Sequence, residues 1–167
     1  VQTVDNKPYL EYDGEYFRVY EFIENSVCLQ IPRDTNEFYQ SAVAFGDFTC
    51  MLGDFDATQL YEVLPNFHNT VNRFKNFEVA LETNLSGRAH LATEEINFAL
   101  ARKGIVSKIV SLIENTKMPL KVTHNDTKLN NVLLNAETLE GLAVIDLDTV
   151  MPGSVCYDFG DSIRFGC

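Results

Sequence analysis

The first part of the chain alternates aromatic and β-branched residues with polar ones, and this pattern predicts a β-hairpin. Two such runs, YLEY (9–12) and EYFRVYEFIE (15–24), flank the pair Asp13-Gly14. An Asp-Gly pair favours the two-residue turn that joins antiparallel strands, because both residues tolerate positive φ. We expect the second strand to extend from Tyr16 to Ile23.

Between residues 34 and 115, hydrophobic positions recur at the spacing of helices. The segment Asp34-Thr35-Asn36-Glu37 resembles a capping box and predicts a helix start. Asn69 predicts a second start and Thr93 a third, and Gly104 separates that helix from a further helical run. A short helix is also expected after Asp56. The apolar stripes of the first two long helices are Phe38, Ala42 and Phe45, then Val71, Phe74, Phe77 and Leu81.

The last third of the chain returns to short extended runs, LKVTH (120–124), NVLLN (131–135) and GLAVIDLD (141–148). The last two are separated by a polar, turn-like stretch and predict a second hairpin from about residue 131 to 146. The order of hairpin, helices and hairpin predicts an α+β fold class.

Composition narrows the possible functions. The 167 residues are 46% hydrophobic and 22% charged, which is typical of a globular domain, and the net charge is −11. Such acidity repels a nucleic-acid backbone, and no apolar run approaches the ~18 residues of a membrane helix, so neither partner is expected. The four cysteines form no Cys-x-x-Cys pair, which argues against a zinc site or disulfide framework and favours a reducing, cytoplasmic setting.

The segment VTHNDTKLNNVLL carries the candidate chemistry. His124, Asp126 and Asn131 have the spacing H-x-D-x-x-x-x-N, followed at once by an apolar strand, as in the catalytic loop of protein kinases. There the Asp accepts the proton of the acceptor hydroxyl, and the Asn supplies an oxygen to Mg²⁺. Lys128 could neutralise charge on the transferred phosphoryl group. Asp146 ends the strand VID, where a second magnesium ligand is needed.

Three segments, HNDTKLNNVLL, AVIDLDTVMPG and YDFGDSIRFG, resemble the aminoglycoside phosphotransferase and choline kinase-like superfamily of small-molecule kinases. The sequences of these motifs are most similar to those of bacterial N-acetylhexosamine 1-kinases, which phosphorylate the anomeric hydroxyl of N-acetylglucosamine or N-acetylgalactosamine. FRVYEFIE and PNFHNT extend a weaker similarity toward the N-terminus. The resemblance implies a protein kinase-like fold, with ATP and Mg²⁺ as cofactors. It also implies that the acceptor is a hydroxyl group of a small molecule, with an amino sugar as the favoured one.

The resemblance also implies roles for individual residues. Asp126 would be the catalytic base, and Asn131 and Asp146 would hold magnesium. His124 would orient the loop. The stretch from Tyr20 to Glu24 would be a hinge offering backbone groups to adenine, with Tyr20, Glu21, Phe22 and Ile23 as its binding residues.

Three further charged residues are substrate candidates, namely Asp148, Arg88 and Arg164. Strand alternation puts Asp148 on the same face as Asp146 if the strand continues, where it could also assist the metal. The triplet Asp158-Phe159-Gly160 looks like the magnesium-binding motif of protein kinases, but no strand-like run precedes it. We expect Asp158 instead to open a helix and to support the catalytic loop by hydrogen bonds.

The resemblance leaves the nucleotide site incomplete, because the chain has no Gly-rich loop and no strand lysine for the phosphates. The expected organisation is the end of an N-lobe sheet with the hinge in residues 1–24 and a partial C-lobe in 25–167, with the catalytic loop at 124–131 and the metal-binding strand end at 146–148. The simplest interpretation is a central fragment of a longer kinase, inactive by itself.

Two other functions remain open. A metal-dependent hydrolase could use His124, Asp126, Asp146 and Asp148 as an oxygen-rich two-metal site, but it has no need of Asn131 and Lys128 at this spacing. A non-catalytic nucleotide- or ligand-binding module would account for the absent phosphate clamp. Magnesium-dependent nucleotide binding distinguishes these alternatives. The sequence does not determine the oligomeric state.

Overall fold

The structure, a computed structural model, describes residues 1–166 and has the mixed α+β fold class expected from the sequence, a protein kinase-like arrangement. The strands are β1 (Leu10–Tyr12), β2 (Glu15–Phe17), β3 (Ser26–Cys28), β4 (Lys121–Thr123), β5 (Val132–Asn135), β6 (Gly141–Val144) and β7 (Met151–Gly153). The helices are α1 (Thr35–Met51), α2 (Thr70–Thr83), α3 (Thr93–Leu100), α4 (Lys108–Glu114) and α5 (Val155–Gly166).

The first hairpin forms at the predicted turn. Strands β1 and β2 pair antiparallel with Tyr12 opposite Glu15, and Asp13 and Gly14 have φ values of 51° and 77°. The prediction of a strand from Tyr16 to Ile23 is wrong, because β2 ends at Phe17. A strand needs a hydrogen-bonding neighbour, and within residues 1–166 β2 pairs with β1 alone, so the aromatic propensity of 18–23 is not sufficient.

A three-stranded sheet, in the order β3-β5-β6, holds the buried core. Phe45 of α1 packs on Val132 and Leu134 of β5, which are fully buried. Leu133, between them, points to the opposite face and pairs across the hairpin with Ala143. The predicted second hairpin is therefore confirmed, and it presents one face to α1 and the other to a cavity described below.

Helix α1 begins as the capping pattern predicts. The Asp34 side chain accepts the N–H of Glu37 at 2.9 Å. The Glu37 carboxylate, which is buried, accepts the N–H of Arg33 at 2.6 Å and also pairs with its guanidinium. Hydrogen bonds from Arg33 hold the pKa of Glu37 below its usual value. The cap thus reaches one residue further back than in an ordinary capping box.

Of the other predicted helix starts, one is confirmed as predicted and two differ from the prediction. Asn69 caps α2 by accepting the N–H of Asn72 at 3.0 Å, as predicted. Thr93 is the first residue of α3 rather than its cap, because its hydroxyl donates backward to the His90 carbonyl. Asp56 starts a single 3₁₀ turn, Ala57–Gln59. No helix within residues 1–166 has both the length and the apolar character that crossing a membrane requires.

A second small sheet, β4 with β7, delivers the chain to the candidate site. Thr123 pairs with Met151, and its hydroxyl donates to the Met151 carbonyl at 3.0 Å. Gly153 lies so close to Thr123 that a Cβ at this position would collide with the Thr123 hydroxyl and would crowd the Asn125 side chain. The tight approach of β7 fixes the point at which the loop after β4 begins.

Candidate active site

The loop from residue 124 to 131, between β4 and β5, begins at a fully buried histidine. The ring of His124 lies edge-on to Phe45 and Phe48, with centroid distances of 5.3 and 5.7 Å. Its Nε2 donates to the Ile145 carbonyl at 2.9 Å, and its Nδ1 accepts the N–H of Asp126 at 3.3 Å. Both ring nitrogens are engaged by backbone groups, an arrangement that suits a residue that orients the loop and not one that shuttles protons.

Asn125 turns the chain so that the next residue leaves the core. It adopts φ of 66°, a left-handed conformation that asparagine tolerates better than most residues. Its side chain donates to the carbonyls of Thr123 and Thr149 at 3.1 and 3.0 Å. Its Oδ1 lies 3.0 Å from the Thr123 hydroxyl, whose single proton is shared with the Met151 carbonyl. These bonds hold the turn from within.

Asp126, Lys128 and Asn131 meet at the outer side of this loop. The Lys128 ammonium lies 2.8 Å from Oδ2 of Asp126. Nδ2 of Asn131 donates to the same oxygen at 3.1 Å and to the Asp126 carbonyl at 2.8 Å. The side chain of Asp126 is 23% exposed, so an acceptor hydroxyl can reach it. The hydrogen bond to Asp126, with the charges of Asp146 and Asp161, raises the pKa of Lys128 and keeps it cationic.

Asp146 lies beside this group because Ile145 donates its N–H to the Asn131 carbonyl at 2.9 Å. Asp146 has φ of 60° and ψ of 55°, a left-handed conformation that is incompatible with an extended strand. No cluster of three or more His, Cys, Asp or Glu side chains suited to a metal occurs within residues 1–166. One carboxylate and one amide oxygen nevertheless fit Mg²⁺, which commonly takes one or two protein ligands and completes its shell with phosphate and water.

Asp148 does not occupy the position that strand alternation predicts. Strand β6 ends at Val144, and residues Leu147–Thr149 form a 3₁₀ turn, so the premise of a continuing strand is wrong. The left-handed residue Asp146 ends the extended conformation. The Asp148 carboxylate forms an ion pair with Arg18, so the structure gives it a partner other than Asp146.

The expected hinge residues, Tyr20 to Ile23, line a cavity of about 730 Å³, which we call the β5–β6 cavity. Its opposite wall consists of Leu133 and Ala143 from the outer face of the hairpin, and its end reaches Asp146 and Asp148. Tyr20 and Phe22 are exposed and present apolar surface next to it. The cavity thus joins a largely apolar lining to two carboxylates.

Asp158 supports the loop from helix α5. Its Oδ2 accepts the N–H of His124 at 2.9 Å, and its Oδ1 accepts that of Asn125 at 2.7 Å. The carboxylate is buried, and burial raises its pKa against the two N–H bonds that favour the charged form. Asp158 lies in the first turns of a helix and faces the back of the loop.

Asp161 and His68 also hold the loop, and the sequence interpretation assigned neither to it. Oδ2 of Asp161 accepts the N–H of Thr127 at 2.9 Å, one helical turn beyond Asp158. His68 Nε2 donates to the Asn125 carbonyl at 3.0 Å, and its ring stacks on Tyr157. The spacing of two aspartates at i and i+3 on a helix could have indicated the first contact. The second joins residues 57 positions apart and leaves no local pattern.

The two arginines proposed for substrate are placed differently. Arg164 donates to Oδ1 of Asp161 at 2.8 Å, and the other oxygen of Asp161 accepts the N–H of Thr127 in the loop. Arg164 is therefore linked to the loop through Asp161. Arg88 lines a groove between α2 and α3 to which no residue of the loop 124–131 contributes. The structure therefore brings Arg164, but not Arg88, close to the candidate site.

Replacement of Asp158 by Asn is expected to lower the free energy of unfolding by about 2 kcal/mol, since one loop N–H would face an amide NH₂ instead of an acceptor. Asp161→Asn is the matched control on the same helix. Its single loop bond can be kept by the remaining oxygen, and we expect a loss of about 1 kcal/mol or less. Chemical denaturation measures both. A loss for Asp158→Asn no larger than that of the control would contradict the supporting role.

The family model described as the phosphotransferase enzyme family, APH, matches residues 4–167 of the chain. The match includes the loop 124–131, Asp146 and Asp158, and it also covers the segment 18–23 that borders the β5–β6 cavity.

Proposed function

This chain belongs to the phosphotransferase enzyme family, and on that premise we propose that it transfers the γ-phosphoryl group of ATP to a hydroxyl of an amino sugar. The proposed organisation is an N-lobe sheet end and hinge in residues 1–24 and a C-lobe in 25–167. ATP and Mg²⁺ are the proposed cofactors, and the reducing cytoplasm, where both are available, is the proposed location.

One juxtaposition carries the proposal. The carboxylate of Asp126 is held by Lys128 and Asn131, and Asn131 is bonded through its carbonyl to the residue before Asp146. Asp146 itself lines the β5–β6 cavity, so one backbone hydrogen bond joins the group to the cavity wall. A base, a cation and two oxygen ligands beside a largely apolar cavity would meet the requirements of phosphoryl transfer.

Each side chain has a distinct task in this reaction. Asp126 accepts the proton of the acceptor hydroxyl while the new O–P bond forms and the bond to the ADP leaving group breaks. Lys128 offsets negative charge on the phosphoryl oxygens. Oδ1 of Asn131 and the carboxylate of Asp146 would hold magnesium, which when bound neutralises charge between the phosphates. His124 and Asp158 keep the loop in place.

The amino sugar is proposed as acceptor because the motifs HNDTKLNNVLL and AVIDLDTVMPG resemble those of N-acetylhexosamine 1-kinases. Asp148 lines the β5–β6 cavity, and the partner of Arg164, Asp161, contacts the loop. Asp148 and Arg164 are both proposed to recognise sugar hydroxyls or the acetamido group. Asp148 is also a candidate for assisting the metal. Both roles would compete with the ion pair that Asp148 forms with Arg18.

We expect the complete gene product, given MgATP and a panel of hydroxyl acceptors, to release ADP with N-acetylglucosamine or N-acetylgalactosamine. Choline, homoserine and an aminoglycoside complete the panel, and a coupled assay measures ADP. We expect the 167-residue chain alone to lack robust turnover.

The other outcomes of this assay are informative. ADP release with another acceptor class would contradict the amino sugar and leave the kinase function standing. Nucleotide binding without ADP release for any acceptor would favour a non-catalytic binding module. Phosphate release without an acceptor would favour a hydrolase.

A further inference from the structure

The β5–β6 cavity contains an arginine that the proposed function does not use. Arg18 lines this cavity, and among residues 1–166 it is the one basic residue that does so. The other charged residues of the lining are Glu21, Asp146 and Asp148, which are all acidic. The cavity proposed for a polyanionic nucleotide is therefore bordered by three carboxylates and a single guanidinium.

Arg18 contacts both the expected hinge and the residues that follow strand β6. Its guanidinium pairs with the Asp148 carboxylate, two residues beyond the proposed metal ligand Asp146. Its guanidinium carbon is also 5.8 Å from the ring centroid of Tyr20, which belongs to the expected hinge. A nucleotide with its base against Tyr20–Ile23 and its terminal phosphates near Asp146 would pass the guanidinium with its phosphates.

The positive charge of Arg18 matters because most of the charge around the cavity is negative. The chain has a net charge of −11, and several carboxylates near the cavity would repel a triphosphate. Lys128, the other nearby cation, is hydrogen-bonded to Asp126. Arginine presents a planar fork of donors that fits phosphate oxygens, and its charge persists at every physiological pH.

The present partner of Arg18 is easily exchanged. The side chains of Arg18 and Asp148 are 48% and 64% exposed, and exposed ion pairs contribute little to stability. Arginine forms charge-assisted hydrogen bonds with phosphate as well as with carboxylate. Exchange of Asp148 for a phosphate oxygen therefore costs little folding stability.

We propose that Arg18 is a phosphate-binding residue of the nucleotide site, and that it leaves Asp148 for the α- or β-phosphate when a nucleotide binds. This inference rests on the proposed function. It links nucleotide binding to the release of Asp148, which then becomes available to a metal ion or an acceptor.

The test compares ATP with adenosine, which has the same base and ribose but no phosphate. We expect Arg18→Gln to weaken ATP binding by the complete gene product about tenfold, the loss of one charge-assisted hydrogen bond. Adenosine affinity should change by less than about twofold, and Arg18→Lys should retain part of the ATP affinity. Calorimetry or ligand competition measures the dissociation constants. Arg102→Gln, which removes the same charge from an arginine stacked on Phe98 outside the cavity, is the matched control.

A double-mutant cycle without divalent cations tests the exchange itself. Asp148→Asn should tighten ATP binding when Arg18 is present, because the competing carboxylate is gone. The same change should have a smaller effect in the Arg18→Gln background. Equal effects in the two backgrounds would overturn the exchange.

The remaining outcomes separate this inference from the proposed function. If the unaltered protein binds ATP more tightly than adenosine and Arg18→Gln preserves that preference, the phosphate role of Arg18 is wrong and the kinase proposal is untouched. If the unaltered protein binds ATP no better than adenosine, the inference is also wrong. If it binds no nucleotide at all, the inference and the proposed function are both overturned.

Discussion

Asp126→Asn is expected to lower kcat of the complete gene product by about 10³-fold, because an amide cannot accept the proton of the acceptor hydroxyl. The amide has almost the same shape, and its oxygen can still accept the hydrogen bond from Asn131. The loss of the ion pair with Lys128 is a minor matter for folding, since both side chains are partly exposed. ADP release measures kcat, and a thermal melt measures stability.

A matched control separates chemistry from charge. Asp47 lies on an exposed face of α1, and Asp47→Asn removes the same charge without touching the loop. We expect this variant to keep both kcat and the melting temperature. Near-normal kcat in Asp126→Asn would show that another group accepts the proton, and the assignment of the base would be wrong.

Asp146→Ala is expected to remove activity together with its magnesium dependence. The carboxylate is the one charged group of the proposed metal pair, and Asn131 by itself offers a neutral oxygen. A magnesium titration of ADP release measures the effect. If residual activity shows the same half-saturating magnesium concentration as the unaltered protein, Asp146 is not a ligand.

The backbone at Asp146 calls for a second variant. Alanine is poorly suited to φ of 60°, and this conformation can cost about 1 kcal/mol of stability independently of any metal. Asparagine tolerates the conformation, so Asp146→Asn keeps the turn and removes the charge. We expect it to need far more magnesium than the unaltered protein at unchanged melting temperature. Adenosine binding, which needs no metal, reports whether the β5–β6 cavity is intact in both variants.

The part of the site that could be predicted from sequence is local in the chain. His124, Asp126, Lys128 and Asn131 lie within eight consecutive positions, and a loop this short forces them together whatever packs around it. The turn at Asp13-Gly14 and the cap at Asp34 are equally local, because each depends on the φ preference or the hydrogen-bonding capacity of a few adjacent residues.

The errors arose where a local preference lacked a partner. Residues 18–23 have the composition of a strand, yet pairing stops at Phe17. Alternation placed Asp148 beside Asp146, but the left-handed backbone at Asp146 ends the strand and Asp148 pairs with Arg18, 130 positions earlier. Strand formation depends on hydrogen bonds to another segment, and a single segment does not carry that information.

The sequence by itself therefore determined the α+β class, the second hairpin and the set of residues with the chemistry of a phosphotransferase. Only the tertiary structure decided which groups surround them: Asp158 and Asp161 behind the loop, His68 on the Asn125 carbonyl, and Arg18 at the cavity. The physical reason is the length of chain between the partners. Side-chain chemistry and turn geometry act over a few residues, whereas these contacts exist only after packing of α5, the α2 start and the first hairpin has brought distant segments together.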